Sequence, residues 1–235
     1  MNIELALFTY GGIHPQTFDA VMDEIVFAHA NKHALSYSRI SEDALISRSR
    51  SRVASRFLRN NPKDAVLFML DHDIAFSPGG VVETCRKAAS THGIVGGMYS
   101  CRTFGKGHTS RLAKAQDSWT EGADELLPAE YIGGGFMAIP WKVLDKIVAA
   151  KRVKLCTMGG SEVFYDFFRP ITVPTEPPYV QPTDAWAHEY LSEDWAFCRR
   201  ATAAEAPLHV YAKPVLRHYG DHGYTVADGL PKKFL

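Results

Sequence analysis

The sequence predicts an α/β layered fold, one domain built on a mainly parallel sheet flanked by helices. Three observations predict it. Apolar runs of strand length alternate along the chain with stretches of helical periodicity. One such run, Ala65–Leu70 (AVLFML), is apolar throughout, as expected of a strand covered on both faces. The length of 235 residues suits a single α/β domain, and no internal repeat or linker divides it.

The elements follow in order. Ile3–Thr9 reads as a strand, apolar apart from Glu4, and runs into the Tyr10-Gly11-Gly12 turn. His14–Asn31 reads as a helix with Phe18, Val21, Met22, Ile25 and Val26 at helical spacing. Leu35–Ile40 is the second strand, and Ser41–Asn60 the second helix, with Ser41 as N-cap and Asp43 in the first turn. On that helix Ile46, Val53 and Phe57 form one stripe, while Arg48, Arg52 and Arg59 lie opposite. Arg50 falls inside the apolar stripe, where a charge needs a partner. It is either a salt-bridged arginine or one that faces an anionic ligand.

Pro78 suits the first position of a third helix. Ile94–Tyr99 and Tyr131–Ile139 read as strands carrying Gly96-Gly97 and Gly133–Gly135. Val143–Ala150 and Ser192–Ala204 read as helices, and Val210–Leu216 as a final strand or extended segment. Between them, Gly159–Tyr190 is proline-rich and expected to be irregular, a lid or binding loop that includes Tyr179 and Trp186.

Composition narrows the function classes. The 26 basic and 26 acidic residues cancel, which disfavours binding to nucleic acid through phosphates alone. The first residues carry no basic leader, and every apolar run falls far short of the ~20 residues a membrane helix needs. Cys85, Cys101, Cys156 and Cys198 form no CxxC pair and read as small buried hydrophobes in a reducing compartment. The expected location is the cytoplasm of a cell or of a virus-infected host.

Chemistry gathers where the best strand stops. Ligands of open α/β sheets bind beyond the carboxyl ends of the strands. Asp71 and Asp73 sit at that edge, and two such carboxylates can reach one hard divalent cation, Mn²⁺ or Mg²⁺. His72, between them, should point the other way if the backbone stays extended. Gly133, Gly134 and Gly135 remove side chains where backbone approaches a ligand or another segment closely. Glu193 and Asp194 open a helix, where an anion is stabilised and a carboxylate can serve as general base. His218 can complete a carboxylate–imidazole site for Mn²⁺.

LFMLDHDIAFSP resembles the donor-binding segment of GT-A glycosyltransferases, in which an apolar strand delivers a DxD motif. SRSRVASRFL, IVGGMYSCR, YIGGGFMAIP, YDFF with YLSEDWAFCRR, and VYAKPVLRHYG resemble further segments of that family in the same order. Together they span roughly residues 3 to 224. Ser51 stands where the family often has Asn.

The resemblance implies a Rossmann-like GT-A domain that moves a sugar from a UDP- or GDP-sugar to a hydroxyl, with inversion preferred. It implies donor contacts from Thr9, Tyr10, Gly11, Arg50, Asp71, His72 and Asp73. It implies a metal on Asp71, Asp73 and His218, and an acceptor side at Gly133, Gly134, Gly135 and Phe136. Asp194, with Glu193 beside it, becomes the base. The acceptor stays open among a saccharide, a lipid-linked glycan, a protein and a hydroxylated DNA base. The rival readings are a nucleotidyltransferase and a non-catalytic nucleotide-sugar-binding module. Against the first, Gly11-Gly12 has no adjacent Lys or Arg.

Overall fold

The computed structural model describes residues 1–41, 43–105, 107–113, 119–160, 162–174, 188–220 and 222–229. In chain order they form β1 (Asn2–Phe8), α1 (Pro15–Ala30), β2 (Ala34–Ile40), α2 (Ile46–Asn60), β3 (Val66–Asp71), β4 (Ile74–Phe76), α3 (Gly80–Thr91) and β5 (Ile94–Gly96). Then come β6 (Arg111–Leu112), β7 (Leu126–Tyr131), β8 (Phe136–Pro140), α4 (Trp141–Ala149), β9 (Leu155–Met158), β10 (Glu162–Tyr165), β11 (Ile171–Pro174) and β12 (His188–Leu191). The chain continues with α5 (Glu193–Ala203), β13 (Leu208–Tyr211), β14 (Leu216–Tyr219), β15 (Gly223–Tyr224) and a 3₁₀ turn, Val226–Gly229.

The central sheet has eight strands in the order β2-β1-β3-β8-β5-β13-β7-β6. β2, β1 and β3 are mutually parallel, as are β5 and β13. β8 runs against both β3 and β5, and β7 against both β13 and β6. All strands but β7 and β8 therefore point one way, and the sheet is mainly parallel.

Helices cover both faces. One core packs α2, α4 and α5 on the sheet through Val53, Phe57, Leu144 and Phe197. The other packs α1 and α3 through Val21, Ala28, Val81 and Cys85. Successive residues of a strand face opposite sides. In β3, Leu67 and Met69 enter the first core, while Val66, Phe68 and Leu70 enter the second. That double burial is why the run carries no polar residue.

Several elements depart from the expected boundaries. α1 turns Thr17, Ala20, Val21, Glu24 and Ala28 inward, leaving Phe18, Met22 and Val26 exposed. The inward Glu24 has a non-local task. α3 begins at Gly80 rather than at Pro78, with Gly79 in the left-handed region, φ +85°. Glu24 caps it, accepting from the N–H groups of Gly79 (2.6 Å) and Val82 (2.7 Å).

α2 starts at Ile46, so Ser41 is not its N-cap. Asp43 lies ahead of the helix, accepting from the Leu45 N–H and from Arg48. The expected strand Tyr131–Ile139 is two strands, β7 and β8, parted by the glycine turn. Gly159–Tyr190 is not wholly irregular, since β9 pairs with β10 and β11 with β12. Tyr179 and Trp186 lie outside the described residues. Val210–Leu216 divides between β13 and β14. Among the described residues no helix is long and apolar enough to cross a membrane.

The arginine stripe of α2 is spent within the chain. Arg48 pairs with Asp43, Arg52 with Glu162, and Arg59 donates to the Val163 carbonyl. The contacts of Arg52 and Arg59 clasp the β9–β10 hairpin onto α2.

Burial pushes the Glu24 carboxyl up to about 7, outweighing the two N–H bonds that favour the anion. Its unfolded value lies near 4.5. The folded state thus binds the proton more tightly, and this contribution to stability is complete below pH ~4.5 and lost as pH rises through ~7. Urea unfolding from pH 4.5 to 8 is expected to lose on the order of 2–3 kcal/mol through this group. Glu24→Gln should remove that slope; an unchanged slope would assign it elsewhere.

Candidate active site

β1, β2 and β3 all end on one edge of the sheet, and a cavity of about 330 Å³ opens there. Its walls include Thr9, Tyr10, Arg50, Asp71, His72 and Asp73. Glu193, Asp194, His218 and the Gly134-Gly135 backbone line it too. The sequence-derived residues thus converge, although their chain positions run from 9 to 218.

At the end of β1 the Thr9 N–H donates to Ile40 (2.9 Å) and its hydroxyl to the Gly12 carbonyl (2.7 Å). Gly11 takes φ +108°, a conformation that suits glycine, and its carbonyl accepts from Arg39 (2.8 Å). Tyr10 stands exposed at the rim. Gly11 shapes this turn but is not part of the cavity wall. β3 stops at Asp71 and the backbone turns at His72-Asp73. Extended alternation therefore does not apply, and His72 lines the same cavity as both aspartates.

Arg50 is 2 % exposed and lies at the centre of an ion-pair network. Its Nη2 donates to Asp71 Oδ1 (2.7 Å) and its Nη1 to Glu193 Oε1 (2.8 Å). Burial opposes its charge, but Asp71, Glu193 and Asp194 together hold the guanidinium protonated beyond its ordinary range. Burial also raises the Glu193 carboxyl, opposed by Arg50 and reinforced by Asp194. Gly134 makes room for this arrangement: a Cβ there would collide with Arg50 Nη1. One N–H of each Nη braces a carboxylate, Nε–H has no partner among the described residues, and Arg50 lines the cavity.

Asp194 is fixed by three donors. Its Oδ2 accepts from the Gly134 N–H (3.1 Å), and its Oδ1 from the Trp195 N–H (2.8 Å) and the Ser192 hydroxyl. Ser192 sits at the N-cap position of α5, yet its hydroxyl serves Asp194 and not the helix backbone.

In the same cavity, Asp73 Oδ2 faces His218 Nε2 (3.6 Å) and Arg102 Nη1 (3.0 Å). Burial raises the Asp73 carboxyl, but His218, His72 and Arg102 outweigh it and hold it below the usual range. His218 Nδ1–H donates to the Ser100 carbonyl (2.9 Å), so in the neutral ring Nε2 is the atom with a free lone pair. A carboxylate and an imidazole nitrogen aimed at one point suit Mn²⁺ chemically. Asp71 gives its Oδ1 to Arg50 while still lining the cavity, and among the described residues no three of His, Cys, Asp and Glu form a ready-made metal set.

The acceptor-side residues divide. Gly133 and Gly135 are buried where a Cβ would collide with Tyr99 and Thr109, or with Tyr99, Ile74 and Asp71. Phe136 is corrected: its ring is wholly buried against Phe68 and Phe76, filling the core beneath the cavity.

Two residues were not foreseen. Tyr99 accepts from the Gly135 N–H (2.9 Å), and burial with nearby carboxylates pushes its phenol up, so it stays neutral. Arg102 lies in a loop where a lone arginine carries no pattern.

No family model matches the chain, and no curated protein matches it. Among solved structures, A197 from STIV is similar over 100 % of this chain and 96 % of its own, with TM-score 0.59 and 15 % identity. That likeness is one of fold. A UDP-glucose pyrophosphorylase aligns over 92 % of this chain and 93 % of its own, with TM-score 0.45 and 9 % identity. A 4-diphosphocytidyl-2C-methyl-D-erythritol synthase from Anaerococcus prevotii aligns over 68 % and 79 %, with TM-score 0.34 and 12 % identity. Both are too distant to carry an argument.

Proposed function

We propose that this chain is a metal-dependent glycosyltransferase, taking a sugar from a nucleoside-diphosphate donor, UDP- or GDP-linked, to an acceptor hydroxyl. The supporting observation is the cavity at the carboxyl edge of β1 and β3, which Asp73, His218 and Asp194 line together. Asp73 and His218 would hold Mn²⁺ or Mg²⁺, with Asp71 near the metal or the ribose. When bound, the ion supplies positive charge to the leaving diphosphate. Thr9, Tyr10 and His72 would border the nucleoside.

Asp194 is the base in this reading. Its carboxylate has lone pairs beyond the three N–H and O–H bonds that orient it. It takes the acceptor hydroxyl proton as that oxygen bonds to the anomeric carbon and the bond to the diphosphate breaks. One such displacement inverts the anomeric centre. Gly134, which donates to Asp194, would border the acceptor.

Thermal unfolding with a panel of nucleotide-sugars, with Mn²⁺ or with chelator, tests the donor site. A ligand at 100 times its Kd adds about 2.7 kcal/mol of stability. One donor is expected to stabilise the wild type only with Mn²⁺ and to lose that effect in Asp73→Ala. No stabilisation by any donor would remove the reading. Nucleoside diphosphate as product would confirm glycosyl transfer; pyrophosphate or sugar phosphate would place the chain with nucleotidyltransferases. Donor binding without turnover on any acceptor would leave a binding module.

A further inference from the structure

The two arginines of the cavity differ in what they can still do. Arg50 is enclosed, with both Nη atoms given to carboxylates. Arg102 has a side chain 54 % exposed and pairs through Nη1 with Asp73 Oδ2. That oxygen is the one His218 Nε2 also faces. The guanidinium therefore lies against the oxygen that a divalent cation held by Asp73 and His218 together would use. The loop beneath it is anchored: the Gly105 N–H donates to Asp228 (2.8 Å), His108 contacts the Val226 carbonyl (3.0 Å), and Cys101 bonds Gly107 (3.1 Å).

We propose that Arg102 is an exchangeable counter-ion: it holds Asp73 until a divalent cation takes that oxygen, and its guanidinium then pairs with the diphosphate of the donor. This rests on the glycosyltransferase reading above and assigns it a diphosphate-binding residue. The chemistry suits the swap. A divalent cation on that carboxylate oxygen repels the guanidinium and so weakens its hold there. Its planar fork matches phosphate oxygens in two-point contact. The cavity keeps its charge balance throughout, because a positive charge leaves Asp73 as another arrives and the incoming diphosphate is anionic.

Removing Arg102 should shift two affinities in opposite directions, which a purely structural role would not do. Mn²⁺ alone, followed by electron paramagnetic resonance, is expected to bind Arg102→Met about two- to fivefold tighter than wild type, since an exposed ion pair no longer competes. UDP or GDP at saturating Mn²⁺, followed by calorimetry, is expected to bind it about ten- to a hundredfold weaker. Arg102→Lys keeps the charge without the fork, so its Mn²⁺ affinity should stay near wild type and its diphosphate affinity fall between the two. Unchanged affinities in Arg102→Met, or a parallel loss of both, overturn the inference while leaving the donor site standing. A wild type that binds neither UDP nor GDP with Mn²⁺ overturns the glycosyltransferase reading and this inference with it.

Discussion

Arg50→Met is expected to lower the unfolding free energy by about 3–5 kcal/mol, the range for breaking a buried ion pair from one side. The substitution retains most of the apolar stem and removes the guanidinium. Asp71 and Glu193 then face each other without the cation that reconciles them. Glu193 would lose the neighbour that opposes the upward push on its carboxyl, and it would take up a proton in the folded state. Urea unfolding reads this as a lower midpoint at unchanged m-value. Arg50→Lys should fall in between, because a single ammonium cannot reproduce a planar fork that reaches two carboxylates. A loss below about 1 kcal/mol would mean that solvent enters and screens the network.

Asp194→Asn is the second large effect, on rate instead of stability. Transfer is expected to slow by about 10²–10⁴-fold, the contribution of a positioned general base. Donor-induced thermal stabilisation should be retained, because the substitution leaves the metal-side pair Asp73 and His218 unchanged. Glu193→Gln is the matched comparison. Its side chain is spent on Arg50, so its deficit should appear in unfolding as well as in turnover. If Glu193→Gln removes turnover while Asp194→Asn keeps it, the roles of the two acids are reversed.

What the sequence disclosed follows from the range over which each signal acts. Ala65–Leu70 was legible because a strand buried on both faces tolerates no polar residue, and that leaves an unbroken apolar run. Arg50 was legible as an inward charge on α2, but its partners lie 21 and 143 residues away and no local spacing encodes them. The face of α1 was misjudged for a related reason. Of the expected Phe18, Val21, Met22, Ile25 and Val26, Val21 and Ile25 reach the core, whereas Phe18, Met22 and Val26 stay exposed and Glu24 turns inward to cap a helix far along the chain. Gly133–Gly135 were read as places of close approach, which they are, though the approaching groups are Arg50, Tyr99 and Asp71 of the chain itself. Arg102 was passed over because its meaning comes only from Asp73 and His218 beside it.

The contact between Gly134 and Arg50 also bears on how this sequence can drift. A methyl group at 134 would overlap Nη1, so alanine there requires a shorter residue at 50 first. The reverse order is blocked as well: once 134 carries a side chain, arginine cannot return to 50. A descendant with a side chain at 134 is therefore expected to carry a shorter residue at 50 and another counter-charge for Asp71 and Glu193.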